Sequence, residues 1–369
     1  MRAPRIIISG GGTGGHIYPA IAIANAIKSI NPSCEILFVG ANGRMEMEKV
    51  PAAGFSIKGL HIAGLQRSLS WSNFSFPFKV IGSLSAARQI IKDFKPDVAV
   101  GVGGYASGPL LFVASWLGIP TLIQEQNSFA GITNKILGKR ANKICVAFEG
   151  MERFFPSDRL IITGNPVRKD ILERTNKKEE ACLKFNLDPS KPILLSIGGS
   201  LGARTINESL WQDSHKLENA GVQVIWQTGK SFYPKGKEKN SSLIQVHEFI
   251  KEMDLVYAAA DVVISRAGAS SISELCIVEK PCILVPSPNV SEDHQTKNAM
   301  ALVNKKAALL VSDKEAKNKL VDSALSLLSD QSMQRLLKKE IAKLALPNSA
   351  ERIALEVLQL ASPALKKKM

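Results

Sequence analysis

The sequence predicts an α/β protein made of two Rossmann-like halves in tandem, each with a parallel sheet. Short apolar runs alternate with segments of helical periodicity, which is typical of βαβ units. The order of strand, glycine-rich loop and helix occurs twice, with loops that begin at Gly10 and Gly198. The chain has 369 residues, and at roughly 150 residues per domain this length accommodates two domains.

The first half has a predicted strand at Arg5–Ser9, and the helix after its glycine loop has apolar residues at three- and four-residue spacing. An amphipathic helix is predicted from Val80 to Ile91. The other strands predicted in this half are Glu35–Val39, Asp97–Val102 and Thr121–Gln124. The turn Gly164-Asn165-Pro166 predicts a hinge, so we place the first domain at residues 1–165.

The second half, residues 166–347, repeats this order of elements. Its predicted strands are Pro192–Ile197, Val222–Gln227, Val262–Ser265 and Cys282–Val285. Helical periodicity continues through residues 320–344 and ends at Pro347. Asn348 or Ser349 can cap a last helix with Ile353, Ala354 and Val357 on one side.

Composition excludes several classes of protein. Hydrophobic residues make up 45% and charged residues 22%, as in ordinary globular proteins. The longest apolar stretch, Pro109 to Ile123, is interrupted by Gly118 and Pro120, whereas a membrane span needs about 20 apolar residues. The N-terminal run Ile6–Ile8 is too short for a secretory signal, so a cytoplasmic protein is expected. The five cysteines form no C-x-x-C pair and predict buried, reduced thiols.

The net charge of +14 gives information about the binding partners of the protein and not about its fold. The basic residues are scattered, apart from Lys366–Lys368, and no nucleic-acid-binding signature occurs. An anionic membrane surface or phosphorylated substrates are therefore favoured over nucleic acid. A lysine-rich surface that only aids solubility is the alternative.

The first glycine loop, Gly10 to His16, lies between a strand and a helix, where helix N–H groups favour an anion such as a diphosphate. Gly10, Gly12 and Gly15 satisfy G-x-G-x-x-G. A dinucleotide site also needs an acid at the end of the second strand, and that end reads Phe38-Val39-Gly40-Ala41-Asn42. A nicotinamide enzyme is therefore disfavoured.

The second loop, Gly198-Gly199-Ser200-Leu201-Gly202, also matches the G-x-S-x-G elbow of serine hydrolases. A hydrolase would leave the first glycine loop unexplained, and Ser200 is better suited to donate its hydroxyl to a phosphate. The third loop, Ser265 to Leu275, places Glu274 about one helical turn in, where a carboxylate can accept two hydrogen bonds from a ribose diol. A favourable first-turn charge is the alternative for Glu274.

Two further polar segments follow strands of the first half, Gly103-Gly104-Tyr105 and Gln124 to Asn127. In an open α/β sheet, ligands bind at the carboxyl ends of the strands. The polar segments of this half are therefore expected to meet at one edge.

These motifs together resemble the MurG family of bacterial glycosyltransferases, which add N-acetylglucosamine to undecaprenyl-diphosphate muramoyl-pentapeptide (lipid I, giving lipid II). The matching segments occur in the same order and at the same spacing as in that family, over about 290 residues. The matching segments are Gly11 to Ala20, Val102 to Pro109, Glu125 to Asn127, Thr163 to Arg168, Gly198 to Ala203, Ser265 to Leu275 and His294 to Ala299. Residue 294 is His and residues 270–271 are Ser-Ser, where relatives often have Gln and Leu-Thr.

The resemblance implies a GT-B fold, in which two Rossmann-like domains face a central cleft and the last helix, residues 348–369, returns to the first domain. It implies inverting transfer from UDP-N-acetylglucosamine to the muramoyl C4 hydroxyl, with a β-1,4 bond. His16 is the first candidate for the general base that such a transfer needs, and Glu125 is the second. The acceptor site is expected to comprise Gly12, Thr13, His16, Tyr105 and Glu125.

The donor site implied by the resemblance combines residues of both halves, with Glu274 on the ribose, the Ile250 main chain on uracil and Gln295 on the sugar. Its expected members are Thr13, Gly14, Gly15, Asn127, Arg168, Ser200, Ile250, Ala269, Ser270, Ser271, Ile272, Ser273, Glu274 and Gln295. The chain has no Asp-x-Asp, so no tightly bound metal or other cofactor is expected.

A lipid-linked acceptor requires contact with a bilayer. Leu69–Ile81 includes Trp71, Phe74, Phe76, Phe78, Val80 and Ile81, flanked by Arg67 and Lys79, and with Trp116 it predicts an apolar patch with basic neighbours. The resemblance implies a peripheral protein at the cytoplasmic face of the inner membrane, with cell-wall synthesis and division proteins as partners. Another GT-B glycolipid glycosyltransferase and a non-catalytic cell-wall scaffold are the alternatives.

Overall fold

A computed structural model describes residues 2–62, 76–172, 177–199 and 201–362, without the side chains of 76–79 and 291. The chain divides into two compact units, of which the first comprises Met1–Pro166 with Asn348–Met369 and the second comprises Val167–Pro347. Both are parallel α/β units, which confirms the predicted fold class. The sequence-based boundary, between residues 165 and 166, lies one residue from this division.

The first unit contains, within the described ranges, a seven-stranded sheet in the order β3-β2-β1-β4-β5-β6-β7, and all its pairs are parallel. Its strands are β1 (Arg5–Ser9), β2 (Glu35–Ala41), β3 (Ser56–Leu60), β4 (Val98–Gly101), β5 (Thr121–Glu125), β6 (Lys143–Val146) and β7 (Leu160–Ile162). Ile6, Ile7 and Ile8 are fully buried because β1 is central and both faces of the sheet are covered.

Helices cover both faces of this sheet. They are α1 (Gly14–Ile30), α2 (Glu46–Ala52), α3 (Phe76–Phe94), α4 (Ser107–Trp116) and α5 (Ile132–Gly138). α1 starts after Thr13, whose backbone is extended, and its apolar residues Ile17, Ile23 and Ile27 are fully buried against the sheet. The periodicity that predicted α1 is therefore its core-facing side.

The second unit contains, in its described part, a six-stranded parallel sheet in the order β10-β9-β8-β11-β12-β13. Its strands are β8 (Ile193–Ile197), β9 (Gln223–Gln227), β10 (Ile244–His247), β11 (Val262–Ser265), β12 (Cys282–Leu284) and β13 (Leu309–Leu310). Its helices are α6 (Lys169–Leu172), α7 (Lys178–Lys184), α8 (Arg204–Asn219), α9 (Tyr233–Gly236), α10 (Met253–Ala259), α11 (Ala269–Val278), α12 (His294–Val303), α13 (Asp313–Ser329) and α14 (Gln331–Ala342).

The last helix, α15 (Ser349–Ala361), packs in the first unit, as predicted. Its buried side includes Ile353, Ala354 and Val357, which share an apolar cluster with Ile23 and Ile27 of α1. Burial of these side chains, at about 1.5–3 kcal/mol each for the larger ones, holds the C-terminal segment on a unit formed by the N-terminal part of the chain.

Each strand order reverses direction once, and this reversal locates the candidate sites. The reversal lies between β1 and β4 in the first sheet and between β8 and β11 in the second. Loops that leave the carboxyl ends of such strands diverge and leave a crevice for ligands. The four loops that follow these strands are the glycine-containing segments selected from the sequence.

The five cysteines are buried and unbridged, which confirms the expected thiols. In the described residues, no helix is sufficiently long and apolar to cross a membrane. The predicted aromatic segment lies largely outside the described residues, with Arg67, Trp71 and Phe74 among those left out.

Candidate active site

The first glycine loop lies on a buried carboxylate that the sequence analysis did not select. Glu46, at the start of α2, is 1% exposed. Its Oε2 accepts a hydrogen bond from the Gly12 N–H at 2.9 Å, and its Oε1 accepts one from the Ala41 N–H at 3.0 Å. A Cβ on Gly11 would lie 2.2 Å from Glu46 Oε1, so a larger residue at this position would displace the carboxylate. The buried Glu46 carboxylate therefore holds the first glycine loop in place.

His16, in the first turn of α1, lies half-buried beside this loop. Its Nδ1 is 3.0 Å from the Gly11 carbonyl oxygen and 3.3 Å from Thr13 Oγ1. A carbonyl oxygen only accepts, so Nδ1 is the protonated nitrogen and donates to Gly11, which leaves Nε2 as the nitrogen with the lone pair. The local geometry thus selects the tautomer in which Nε2 can act as a base.

The loop after β4 contacts the His16 ring. A Cβ on Gly103, where φ is +99°, would lie 2.8 Å from His16 Nε2, so only glycine leaves room for the ring. The Gly11 N–H donates to the Gly103 carbonyl at 3.3 Å, and Ser107 Oγ donates to the same oxygen at 2.8 Å. Tyr105 in this loop is 55% exposed. The structure therefore brings the His16 and Tyr105 segments to one edge of the sheet, as predicted.

Glu125, the second candidate base, is the last residue of β5 and is 2% exposed. Oε1 accepts from the main-chain and side-chain N–H groups of Asn127 at 3.1 and 3.3 Å. Oε2 accepts from the Gly131 N–H at 3.1 Å and from Asn134 Nδ2 at 2.9 Å. Both oxygens are thus engaged in holding the 125–134 loop, which is the geometry of an organising residue.

The second unit presents the other glycine loop between β8 and α8. Ser200 lies outside the described residues. The Gly202 N–H donates to the Gly199 carbonyl at 3.0 Å, and Gln227 Nε2 donates to the same oxygen at 3.1 Å. Gln227 is 4% exposed and also accepts the Ile250 N–H at 2.9 Å. Gln227 therefore joins the second loop to the segment predicted to bind uracil.

The hydrogen bond to Gln227 affects the role expected for Ile250. Its side chain is buried, and its main-chain N–H is already donated to Gln227 Oε1. A uracil that accepted this N–H would have to share it with the Gln227 side chain or displace it.

Glu274, on α11, lies between a cation and a phenol. Arg168 Nε is 3.8 Å from Glu274 Oε1, and the Tyr257 hydroxyl donates to Oε2 at 3.1 Å. Burial raises the pKa of the Glu274 carboxyl to about 7, although Arg168 and the Tyr257 hydrogen bond each lower it in part. Burial, followed by the charge of Glu274, raises the pKa of Tyr257 well above its usual range. An acid with such a perturbed pKa, on the helix that follows the carboxyl end of a central strand, is typical of a functional group.

The other predicted donor residues lie along the same edge of the second unit, and their side chains differ in orientation. Ser273 Oγ donates to the Ala269 carbonyl at 3.0 Å, and Gln295 Oε1 accepts the Ser287 N–H at 2.9 Å. Ile272 is 2% exposed, so it belongs to the core and can offer only its main chain. Ser270 and Ser271 are half-buried.

α8 and α11 each begin at this edge, after Ala203 and Gly268. Neither residue has a side-chain oxygen to cap the first helical turn, so neither helix start is closed by its own cap. Such N-termini are suited to a diphosphate. Across the described ranges, no group of three or more His, Cys, Asp or Glu side chains is arranged to hold a metal ion.

Thr13, Gly14, Gly15 and Asn127, assigned to the donor from sequence, lie in the first unit; Arg168 and the remaining donor residues lie in the second. Glu46, Tyr257 and Gln227 were missed. Glu46 lies in the charged run Arg44-Met45-Glu46-Met47-Glu48-Lys49, a pattern that is typical of a solvent-exposed segment. The one available signal was its position just after the second strand, at the edge where the glycine loop lies.

The chain matches two family models, the glycosyltransferase family 28 N-terminal domain over residues 6–146 and the corresponding C-terminal domain over residues 193–353. It is 59% identical to the UDP-N-acetylglucosamine–N-acetylmuramyl-(pentapeptide) pyrophosphoryl-undecaprenol N-acetylglucosamine transferase of Cytophaga hutchinsonii, over 96% of each chain. It is 54% identical to the enzyme of that name from Flavobacterium psychrophilum, over 98% of each chain.

Solved structures of glycosyltransferases are also similar to this chain. MurG of Acinetobacter baumannii superposes with a TM-score of 0.82 at 27% identity, covering 96% of this chain and 99% of that one. The calicheamicin glycosyltransferase CalG4 has a TM-score of 0.71 at 14% identity, covering 98% of each chain, which shows similarity of fold alone.

Proposed function

The chain belongs to the MurG family within glycosyltransferase family 28, and we propose on that premise that it transfers N-acetylglucosamine from UDP-N-acetylglucosamine to lipid I. The observation that supports this most strongly is the 59% identity to a transferase of that name across 96% of the chain. Attack by the muramoyl C4 hydroxyl on C1 of the donor sugar gives lipid II and UDP.

We propose that His16 is the general base. The hydroxyl becomes more acidic as its oxygen bonds to C1, and His16 Nε2 takes the proton because Nδ1 is occupied by the Gly11 carbonyl. Glu125 instead positions the 125–134 loop, since its two oxygens already accept four N–H groups. Tyr105, which is exposed in the neighbouring loop, is the residue we propose to contact the acceptor.

The departing UDP gains negative charge, and the second unit offers positive groups for it. The N-termini of α8 and α11 supply N–H groups, Ser200 supplies a hydroxyl, and Arg168 supplies a cation. Glu274 accepts hydrogen bonds from the ribose diol. Since the groups proposed for the diphosphate are N–H donors, a hydroxyl and an arginine, we expect turnover to continue in EDTA.

Product analysis tests this assignment. Incubation with UDP-N-acetylglucosamine and a short-chain lipid I analogue is expected to yield one product heavier by one N-acetylhexosamine. The large anomeric proton coupling of a β-linkage would establish inversion. Donor binding without any such product would contradict the assignment of the acceptor.

We propose that the first unit approaches an anionic bilayer through the exposed faces of α3, α4 and α5. Ile81, Phe112, Trp116, Ile132 and Ile136 are exposed there, and the Arg88 guanidinium lies 5.9 Å from the Trp116 ring centroid. Lys139 and Arg140, at the end of α5, are also exposed. Apolar side chains next to basic ones are the composition of an interfacial contact.

The triple variant Trp116→Ser, Ile132→Ser and Ile136→Ser is expected to lose most of its sedimentation with phosphatidylglycerol vesicles, because it removes apolar area at the surface. Turnover of a short-chain, water-soluble acceptor should stay within about twofold. Leu355→Ser is the matched control, because Leu355 is equally exposed on α15. Unchanged sedimentation of the triple variant would contradict a bilayer contact at these helices.

A further inference from the structure

One peptide group connects Glu46 to His16. The Gly12 N–H donates to Glu46 Oε2 at 2.9 Å, and the Gly11 carbonyl oxygen accepts from His16 Nδ1 at 3.0 Å. This N–H and this carbonyl belong to the same amide, the Gly11–Gly12 peptide. The sequence of groups is therefore carboxylate, amide, imidazole, joined by two hydrogen bonds that run in one direction.

We propose that Glu46 is a positioning residue that makes His16 a stronger base through the Gly11–Gly12 peptide. This inference rests on the proposed function, in which His16 Nε2 takes the acceptor proton. A carboxylate that accepts the amide N–H draws electron density toward the carbonyl oxygen, because the amide is a conjugated group. That oxygen then accepts the Nδ1–H more strongly, and most strongly when the ring is an imidazolium.

The packing explains how the Glu46 carboxylate reaches this amide. A Cβ on Gly40 would lie 2.5 Å from Glu46 Cγ, and one on Gly11 would lie 2.2 Å from Oε1. The Glu46 side chain thus passes between two glycines. The Ala41 N–H holds its second oxygen at 3.0 Å, so the carboxylate is fixed in orientation and excluded from water.

Apart from Glu125, the other charged or titratable side chains on the surrounding elements lie nearer to solvent than Glu46. Tyr18 on α1 and Tyr105 after β4 are more than half exposed, and Glu48 and Lys49 on α2 pair with each other at 2.8 Å. Apart from His16 and Glu46, the charged or titratable side chains on α1, α2, β2, β3 and β5 and in the loops after β2 and β4 are Tyr18, Lys28, Glu35, Arg44, Glu48, Lys49, Lys58, Tyr105 and Glu125. Of these, Glu125 is buried, and its oxygens are engaged by the 125–134 loop. Glu46 is therefore the buried charge with a hydrogen-bonded connection to His16.

The variant Glu46→Gln tests the proposal because it keeps the side-chain size and removes the charge. Without the carboxylate, the imidazolium is less stable, so the pKa of His16 should fall. The acid limb of the kcat–pH profile is then expected to move to lower pH by roughly half a unit to one unit, and the plateau should fall on the order of tenfold. KM for UDP-N-acetylglucosamine should remain within about twofold.

Asp97→Asn is the matched control. Asp97 is also buried and accepts a main-chain N–H, that of Arg5, at 2.9 Å at the opposite end of β1. It should lower the melting temperature as Glu46→Gln does, while the pH profile stays in place. Glu46→Asp keeps the charge and should restore the acid limb toward that of the wild type.

Titration of the His16 ring by NMR, without substrate, separates this inference from the proposed function. The resonance can be assigned with His16→Gln. A lower His16 pKa in Glu46→Gln supports the connection even if no transferase activity is found. An unchanged His16 pKa in Glu46→Gln overturns it, as does a kcat–pH profile that moves equally in Asp97→Asn. If Glu46→Gln does not fold, the same titration of Glu46→Ala, which also removes the carboxylate, decides: a lowered His16 pKa supports the connection and an unchanged one overturns it.

Discussion

Replacement of His16 by alanine is expected to lower kcat by a factor of about 10² to 10⁴, the usual contribution of a general base. The physical reason is that Nδ1 donates to the Gly11 carbonyl at 3.0 Å, so Nε2 is the nitrogen that can receive the acceptor proton. Affinity for UDP-N-acetylglucosamine should change little, because the groups proposed for its uracil, ribose and diphosphate lie in the second unit. Steady-state kinetics with a soluble acceptor, together with donor calorimetry, measures both quantities.

Two variants make this result specific. His16→Gln preserves a donor toward Gly11 but has no basic nitrogen, so its kcat should be as low as that of His16→Ala. His215→Ala changes an exposed histidine on α8 and should retain wild-type rates. A His16→Ala enzyme with near-normal kcat and normal donor affinity would refute the assignment of the base.

Replacement of Glu274 by glutamine is expected to weaken UDP-N-acetylglucosamine binding by about 10- to 100-fold, since hydrogen bonds to a charged acceptor contribute about 1.5–3 kcal/mol. Burial raises the pKa of this carboxyl to about 7, so the wild type holds a carboxylate above that pH and a neutral acid below it. Donor affinity of the wild type should therefore rise with pH through about 7. The variant should show a flat dependence in this window.

Glu274→Gln, which is expected to weaken donor binding, should raise the stability of the folded protein at high pH. The Glu274 carboxyl has its pKa raised from 4.5 to about 7 in the folded protein, so its contribution to stability is fully present below pH 4.5 and is lost as pH rises through 7. Glutamine does not titrate. The free energy of unfolding of Glu274→Gln, taken relative to that of the wild type, should therefore be up to about 3 kcal/mol higher at pH 8 than at pH 4.5.

Melting temperatures of the Glu274 pair at pH 5 and pH 8, with and without donor, measure these opposed effects. Tyr257→Phe serves as control, because it removes the hydroxyl that donates to Glu274 Oε2 while keeping the ring. If Glu274→Gln bound donor as tightly as the wild type at pH 8, Glu274 would not be the ribose ligand.

The strands around the centre of each sheet were predictable from sequence, whereas the edge strands β3, β7, β10 and β13 and the interior strand β6 were not. β1, β8 and β11 are largely apolar on both faces, and a glycine follows β1 and β8 directly and β11 after two residues, so the local pattern is decisive. β3 reads Ser-Ile-Lys-Gly-Leu and β13 has two residues, so neither has a pattern of its own. β6, β7 and β10, also missed, have three or four residues each. Pairing with a neighbouring strand determines these elements.

The loops of the candidate site were predictable because strand ends in a parallel sheet meet at one edge. Their internal hydrogen bonds were not. Glu125 was selected as an acid on such a loop, but its four N–H donors are found only when residues 125–134 fold back on it. Tyr257 lies in an apolar helix, and its contact with Glu274 bridges two helices that are separate in sequence. Such hydrogen-bond partners come together only in the folded chain, so the local sequence does not predict them.

The measurement that tests the account most directly is the initial rate of UDP release from UDP-N-acetylglucosamine with different acceptors. The account predicts fast release with a short-chain lipid I analogue, and only slow background release with diacylglycerol or with no acceptor. Release that is equally fast with diacylglycerol, or that does not depend on the lipid I analogue, would contradict it.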